Sequence, residues 1–329
     1  MSKREVSGSK EIRTIHIIST VNGQVNEGMR NVATHIAKAF EAEHEVRYSG
    51  LKSIGSIIKN SRSCDVTMIF ARANKLVYWL SRLVGTVSRN LWIVCVQKPD
   101  AEFIALVRKH PLKASYLTLV EKDLDEVILR PGCRKELFNV GIKAEKFKPG
   151  DKEKQTELKR KYGIRTDRPF VLHVGHCSAG RGLEDFSAIT DAERMVVASG
   201  MFENAETVKA LEAVGVKIHN GYLENVEEVY QMADVYLFPT HSTEFVISIP
   251  LSVMEALSCG VPVIGYRDFE NLQEIPAEEG AVTLVGDKSE LNTAVLENAE
   301  RKRNHSYLVS PMTWEQSAQD ILTKIMRRG

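Results

Sequence analysis

The segment from Asp234 to Tyr266 constrains the fold of this chain more than any other. It predicts a buried strand at Val235–Phe238, a polar loop, a helix from Pro250 to about Gly260, and a second buried strand at Pro262–Gly265. Proline at the start and glycine just past the end fit the usual helix termini. A strand–loop–helix–strand unit is typical of an open parallel sheet, where loops at the carboxyl ends of strands form the ligand-binding crevice.

Glu255 stands out within the predicted helix. It falls in the second turn, among apolar residues that include Val253, Met254 and Leu257. A carboxylate in such surroundings is costly unless it has a hydrogen-bonding partner. A ligand hydroxyl could be that partner.

A second segment points to phosphate chemistry. Phe170–Gly175 is a short apolar run, and His176, Gly180, Arg181 and Gly182 follow it. The planar guanidinium fork of arginine matches phosphate oxygens, whereas a neutral imidazole offers one donor and no charge. Two interpretations stay open: a phosphate-binding loop, or a tight strand-to-helix turn with a solvated arginine.

Together these segments resemble the donor-binding part of retaining glycosyltransferases of the GT-B fold, family 4. The matching positions are Pro239-Thr240, Glu255-Ala256, Gly260 and Pro262-Val263. The resemblance spans most of residues 139–327. It implies an α/β chain with two Rossmann-like, doubly wound parallel-sheet domains that face a cleft.

The resemblance also implies roles for individual residues. Arg181 and His176, after Gly175, would neutralise the donor diphosphate, and Glu255 would hold the ribose. Backbone groups near Tyr222 would hold the base. Further donor contacts would come from Ser248, Ile249 and Leu251 at the start of the helix, and from Gly28 in the first half of the chain.

One position departs from the family pattern. Ile247 stands eight residues before Glu255, where the family has a glutamate, and the nearest carboxylate is Glu244. Either Glu244 curls back to hold the sugar, or backbone groups alone hold it. The catalytic candidates are therefore Arg181, Glu255 and Glu244.

Length and linker composition predict two domains. A chain of 329 residues is long for a single core. We expect an acceptor-side Rossmann-like domain at residues 1–148, joined by a C-terminal helix at 312–329. A donor-binding domain would occupy residues 149–311, and the charged stretch Lys143–Lys161 would be the linker.

Charge is distributed unevenly in the first half of the chain. This half has predicted strands at Thr14–Ser19, Val66–Phe70 and Leu91–Val96, and a helix from Met29 to Phe40. Nine basic residues and one acidic residue, Asp65, lie in segment 46–99. The acid-poor segment contains Lys75, Arg82 and Arg89 at every seventh position, and Leu76, Leu80, Leu83, Val84 and Val87 on another face of the same predicted helix.

Two interpretations of this basic helix stay open. It either lies on an anionic membrane surface, or packs its leucines on the sheet and leaves its cations in water.

The net charge and the cysteines indicate which binding partners and which cellular compartment fit the sequence. The formal net charge of +1 gives no indication of nucleic acid, and the five scattered cysteines favour a reducing compartment over disulfides or structural zinc. A polar N-terminus and the lack of a long apolar run predict a cytoplasmic protein, with peripheral contact to the inner face of the membrane left open. His173 reads as a core histidine and His241 as a loop residue, and no metal or other cofactor is expected.

The function predicted from these observations is transfer of a sugar from a nucleotide diphosphate sugar to an acceptor, with retention of configuration. The acceptor would be a glycan, a lipid-linked molecule or a small molecule. Two alternatives share the same donor site. One is a nucleotide-sugar epimerase or hydrolase, and the other is a non-catalytic nucleotide-sugar-binding protein.

Overall fold

The computed structural model describes residues 12–19, 28–178, 180–198, 204–243, 246–301 and 306–327. The chain divides into two compact units. Unit 1 is Met1–Gly141 with Trp314–Gly329, and unit 2 is Ile142–Thr313.

Unit 1 contains a six-stranded parallel sheet. Its strands are β1 (Thr14–Ile18), β2 (Glu45–Ser49), β3 (Val66–Phe70), β4 (Leu91–Val94), β5 (Ser115–Thr118) and β6 (Lys135–Leu137). They lie in the order β2-β1-β3-β4-β5-β6. Every residue of the three strands β3, β4 and β5 is buried, as expected for a parallel sheet covered on both faces.

Helices cover both faces of this sheet. They are α1 (Gly28–Phe40), α2 (Ile54–Ser63), α3 (Lys75–Val84), α4 (Ala101–Lys109) and α5 (Glu121–Asp125). The connections β1–α1–β2 and β3–α3–β4 run in opposite directions along the sheet. Since such connections are right-handed, α1 lies on one face and α3 on the other. The predicted apolar face of α1, which includes Val32 and Ile36, is confirmed as buried.

Unit 2 repeats the plan with a different strand order. Its strands are β7 (Phe170–Gly175), β8 (Glu193–Ala198), β9 (Lys217–Asn220), β10 (Val235–Phe238), β11 (Val263–Tyr266) and β12 (Val282–Val285). They are all parallel, in the order β12-β11-β10-β7-β8-β9. The predicted doubly wound parallel sheets are thus present in both units.

The helices of unit 2 correct one prediction. They are α6 (Lys152–Lys161), α7 (Ala205–Ala213), α8 (Val226–Met232), α9 (Leu251–Ser258) and α10 (Leu291–Arg301). The predicted linker Lys143–Lys161 therefore contains a helix, and its linker assignment is wrong for α6. Leu158 and Lys159 of α6 are buried, and Lys159 Nζ lies 2.5 Å from Asp234 Oδ2. The many charges of α6 hid this core-facing side in the sequence.

The last helix, α11 (Trp314–Met326), packs against α1 of unit 1. The Trp314 ring stacks on His35 with 4.9 Å between ring centroids. Arg134 Nη2 donates to the Ile325 carbonyl at the end of α11 over 2.9 Å. These contacts attach the C-terminal helix to the unit that contains the N-terminal half.

Each sheet has one point at which the direction of strand addition reverses. In unit 1 it lies between β1 and β3, and in unit 2 between β7 and β10. Loops leaving two such strands turn to opposite sides of the sheet and open a crevice at their carboxyl ends, which is where open α/β sheets bind ligands. In unit 2 this point separates the strands that precede Arg181 and Pro239.

Candidate functional site

Two loops of unit 2 meet at the reversal of strand order. The loop after β7 contacts the loop after β10, because Thr240 Oγ1 donates to the Arg181 carbonyl at 3.4 Å. Gly182 has φ 70°, and a Cβ placed on it would lie 2.1 Å from the Pro239 carbonyl oxygen. Only glycine fits at this contact, so the sequence between β7 and the following 3-10 helix at Leu183–Ala188 is held against β10.

Arg181 is placed by that contact. Its side chain is partly buried, and burial lowers the pKa of its guanidinium from the usual value, with a smaller opposing effect from Tyr236. An arginine remains charged in spite of such a shift. A cation partly removed from water gains strongly from an anion that chelates it. The position therefore suits binding of a phosphate group.

Three aromatic rings form a stack below this loop. Tyr236 lies between His173 and Tyr230, with ring centroids 5.9 and 5.8 Å apart. Its hydroxyl donates to the Val174 carbonyl at 3.1 Å. These contacts pack side chains of β7, β10 and α8 together at the reversal of strand order.

His173 is neutral within that stack. Its Nδ1–H donates to the Leu237 carbonyl at 3.0 Å, and burial lowers its pKa to about 4, with smaller effects from Arg181 and His176. Nε2 has no hydrogen-bond partner in the described part of the chain and would lie 2.9 Å from a Cβ on Gly175. A satisfied core histidine was predicted here, but only Nδ1 of His173 is hydrogen-bonded within the described part of the chain. Gly175 is required because the imidazole occupies the space beside it.

Glu255 has a protein partner that the sequence did not reveal. It lies in the second turn of α9 and is partly buried, and the Tyr230 hydroxyl donates to its Oε2 at 2.9 Å. Burial raises the pKa of Glu255 to about 7, while the Tyr230 bond and Lys143 act in the opposite direction. A ligand hydroxyl is therefore not needed to satisfy Oε2. Oε1 accepts no hydrogen bond from any residue that the structure describes.

The start of α9 is buried and anchored. Pro250 is the N-cap and has no side-chain capping bond. Ser248, Ile249 and Leu251 are all buried, and Asn271 Nδ2 donates to the Ser248 carbonyl at 3.1 Å. Ile247 is also buried, so its side chain packs in the protein where the family pattern has a glutamate. The first N–H groups of a helix lack intrahelical partners and favour anions.

His241 lies close to the side chains of Tyr266, Asp268 and Asp185. Its ring stacks on Tyr266 at 3.9 Å between centroids, and Nδ1 lies 3.3 Å from Asp268 Oδ2. The Tyr266 hydroxyl donates to Asp185 Oδ2 at 2.7 Å, and that same oxygen lies 3.7 Å from His241 Nε2. These contacts connect the loops after β10 and β11 with the 3-10 helix after β7. They fix the loop that leads toward Glu244.

Curated relatives match about half of the chain. The sulfoquinovosyl transferase SQD2 of Arabidopsis thaliana is 27% identical over 164 residues, which is 47% of this chain and 31% of that protein. The alpha-galactosylglucosyldiacylglycerol synthase of Streptococcus pneumoniae is 24% identical over 168 residues, which is 47% of this chain and 43% of that protein. The chain thus spans less than half the length of either relative.

Solved structures and a family model agree with these relatives. The HepE protein of Anabaena, crystallised with UDP and glucose, superposes with a TM-score of 0.69 at 12% identity and 95% coverage of both chains. A family model described as glycosyl transferases group 1 matches residues 180–301. The chain has the GT-B fold, and the part of unit 2 from residue 180 to residue 301 is similar to the group 1 model.

The group 1 match begins at Gly180 and includes Arg181, Tyr222, Ser248 and Glu255. Arg181 lies at the reversal of strand order, whereas Tyr222 lies beyond β9 at the edge of the sheet and is 80% exposed. Two strand spacings, about 10 Å, separate β9 from β7. The structure thus places Tyr222 well to one side of Arg181. His176 is partly buried in the loop between Gly175 and Arg181.

Of the remaining predicted residues, Glu244 is outside the described residues. Gly28 is the first residue of α1 in unit 1, and the predicted loop before it, residues 20–27, is also outside the described residues.

Sequence reasoning missed several residues of the candidate site. Tyr230 and Tyr236 look like ordinary helix and strand residues, and Asp185 and Tyr266 lie 81 positions apart. Only the strand order of unit 2 brings them together. The sole local signal was a polar or aromatic residue within an otherwise apolar strand, as at His173 and Tyr236.

Among residues 12–19, 28–178, 180–198, 204–243, 246–301 and 306–327, no group of three His, Cys, Asp or Glu side chains is arranged to hold a metal ion. No helix in the described ranges has the length and apolar character needed to cross a membrane.

Proposed function

We propose that the protein is a glycosyltransferase that takes a sugar from a nucleotide diphosphate sugar and retains its anomeric configuration. The observation that carries the proposal is the position of Arg181. A glycine-dependent contact holds it at the reversal of strand order in a group 1 domain, next to the strand that leads to Glu255. That arrangement suits a ligand with a diphosphate at one end and hydroxyl groups at the other.

The proposed chemistry is stabilisation of a leaving diphosphate. As the bond between the anomeric carbon and the diphosphate oxygen breaks, negative charge grows on the nucleoside diphosphate. Arg181 would take most of that charge, with His176 as a second donor. Backbone N–H groups of Ser248, Ile249 and Leu251 would add to it at the start of α9. In this proposal the neutralising charge comes from the protein, and no metal ion is required.

Glu255 would recognise the ribose. Its Oε2 keeps the Tyr230 hydroxyl, and Oε1 would accept a hydrogen bond from a ribose hydroxyl. Because hydroxyl donors favour the ionised carboxylate, nucleotide binding would release a proton near the pKa of about 7. Nucleotide affinity is therefore expected to fall as the pH drops below 7.

Four further assignments belong to the same proposal. Glu244 would hold the sugar in place of the glutamate that Ile247 replaces. Gly28 would let the backbone approach the donor phosphate, and backbone groups near Tyr222 would hold the base. The partial burial of His176 supports a phosphate at this residue as well.

The names of similar proteins suggest which ligands to test first. HepE was crystallised with UDP and glucose, and the relative from Streptococcus pneumoniae is a synthase of a glycosylated diacylglycerol. UDP-sugars are therefore the first donors to test, and lipid-linked molecules the first acceptors. Glycans and small molecules remain in the acceptor panel.

Product analysis separates this proposal from its alternatives. The protein would be incubated with a panel of nucleotide sugars, with and without acceptors, and the released nucleotide and sugar would be identified. A transferase releases nucleoside diphosphate slowly alone and faster with acceptor, and the linkage formed has the donor's configuration. Conversion of the donor to its epimer would replace the proposal by an epimerase. Binding without turnover of any donor would replace it by a nucleotide-sugar-binding protein.

A further inference from the structure

Helix α3 of unit 1 carries a row of exposed apolar side chains. Leu76, Trp79 and Leu83 are 52%, 55% and 39% exposed. They stand at positions i, i+3 and i+7 and therefore share one side of the helix. The opposite side, with Val77, Leu80 and Val84, is buried in the unit 1 core. We call the three exposed side chains the α3 row.

The α3 row departs from the interpretation in which all the leucines of this helix pack on the sheet. Leu80 and Val84 do so, but Leu76 and Leu83 point away from it. The predicted seven-residue repeat of cations is also interrupted, because α3 ends at Val84 and Gly85 is its C-cap. One apolar side of the helix packs in the core, and a second apolar side is exposed to solvent. A tryptophan is uncommon at such an exposed position.

Cations lie beside the α3 row and few acids balance them. Lys75 and Arg82 lie along one side of the row, and Arg89 follows in the turn after the helix. Lys75 Nζ lies 2.6 Å from Glu102 Oε1, whereas Arg82 and Arg89 form no ion pair with any residue that the structure describes. Asp65 is the one acid of segment 46–99, and it accepts from the backbone N–H groups of Arg13 and Thr14 at 3.1 Å.

We propose that the α3 row is a docking site for an anionic lipid bilayer. The apolar side chains would enter the acyl boundary, with the indole of Trp79 at headgroup depth, while Arg82 and Arg89 pair with anionic headgroups. The helix would lie in the membrane surface without crossing it. This inference concerns unit 1 and holds whether or not the donor chemistry of unit 2 is as proposed.

Charge complementarity favours a bilayer over a second copy of the chain. A symmetric pair of α3 rows would bring Arg82 and Arg89 of one copy close to the same cations of the other, and like charges at an interface are unfavourable. An anionic surface pairs with all of them at once.

Trp79 provides a direct measurement of docking. The chain has three tryptophans, and Trp92 and Trp314 are buried. Titration with vesicles of 70% phosphatidylcholine and 30% phosphatidylglycerol at 0.15 M salt should shift the emission of wild-type protein to shorter wavelength. Trp79→Phe should retain binding, measured by co-sedimentation, and lose the shift. Pure phosphatidylcholine vesicles should bind at least about tenfold more weakly.

Matched variants test the apolar and basic parts separately. Leu83→Ser should weaken vesicle binding about tenfold. Leu296→Ser, on α10 of unit 2 and also 39% exposed, should leave it unchanged. Arg82→Gln should weaken it roughly fivefold, and Lys38→Gln on α1, across the sheet, should not.

Three outcomes would overturn the proposal. They are absence of wild-type binding to anionic vesicles even at 0.05 M salt, an equal loss for Leu83→Ser and Leu296→Ser, and a wild-type dimer in light scattering that Leu83→Ser dissociates while vesicle binding is unchanged. Circular dichroism of each variant ensures that a loss of binding is not a loss of fold.

Discussion

The two units share one plan, six parallel strands between layers of helices, and differ in where they place their polar chemistry. Unit 2 places Arg181 and Glu255 at partly buried positions near its reversal of strand order. Unit 1 has its most distinctive charges on the surface, around the α3 row. Charges removed from water gain from one compact partner, whereas exposed charges are individually weak and act together on a broad surface. Unit 2 is thus suited to a small anion, and unit 1 is suited to a broad anionic surface.

The largest expected effect comes from the glycine that holds the two loops of unit 2 together. Gly182→Ala would put a Cβ 2.1 Å from the Pro239 carbonyl at a positive φ. It should lower the free energy of unfolding by about 3 kcal/mol or more, combining overpacking with the left-handed backbone. Urea denaturation measures that loss. Gly180→Ala is the matched control, because Gly180 has φ 81° but open space around it, and should cost only about 1 kcal/mol.

Equal losses in the free energy of unfolding for the two glycine variants would mean that the contact between Gly182 and Pro239 does not stabilise unit 2.

The second effect concerns the buried carboxylate of Glu255. Its native pKa of about 7 lies above its ordinary value of 4.5. The native state therefore binds more protons than the unfolded state between pH 4.5 and 7, and its stability falls as the pH rises through that range. Glu255→Gln should remove this fall, so the variant gains on wild type by on the order of 2–3 kcal/mol between pH 4 and pH 8. Urea denaturation at both values measures it.

The same variant tests ribose recognition. If Oε1 binds a ribose hydroxyl, Glu255→Gln should lower nucleotide affinity at pH 8 by about 1.5–3 kcal/mol and leave it independent of pH. Calorimetry at pH 6 and 8 gives both results. A variant that melts differently but binds nucleotide like wild type would limit Glu255 to a structural role.

The smallest effect in this set comes from Tyr230. Tyr230→Phe removes the donor to Glu255 Oε2, and because that bond favours the carboxylate, its loss should raise the pKa of Glu255 further. The pH at which nucleotide affinity falls should move upward, and unfolding should cost about 1 kcal/mol less. Tyr162→Phe is the control, since its hydroxyl donates to Glu228 at 2.7 Å near the surface. If nucleotide affinity depends on pH in the same way in Tyr230→Phe and Tyr162→Phe, the Tyr230 hydroxyl does not affect nucleotide binding by Glu255.

The sequence predicts the elements of this fold well, because a buried parallel strand is a local pattern. Val66–Phe70, Phe170–Gly175 and Val235–Phe238 are strands over the predicted residues. Errors occurred where composition concealed the core-facing side. The lysines and glutamates of α6 resembled a linker.

The candidate site was less accessible to sequence reasoning. Arg181 and Glu255 stand out by spacing, and their roles remain predictions. The Tyr230–Glu255 bond and the Asp185–Tyr266 bond join residues 25 and 81 positions apart. Such pairs depend on the order of strands in the sheet, which local periodicity does not determine. The outward position of Leu76 and Leu83 was missed for a related reason, since apolar residues occupy more of the α3 circumference than the core covers.

Calorimetry of nucleoside diphosphate binding to Arg181 variants is the most direct test of whether Arg181 binds the diphosphate of the donor. Arg181→Ala should lose about 2–4 kcal/mol of binding free energy with the fold unchanged, and Arg181→Lys should recover part of it because lysine keeps the charge but lacks the fork. Arg165→Ala, which removes an exposed cation paired with Asp167, should bind like wild type. An Arg181→Ala protein that is folded and binds nucleoside diphosphates with wild-type affinity would contradict the central claim.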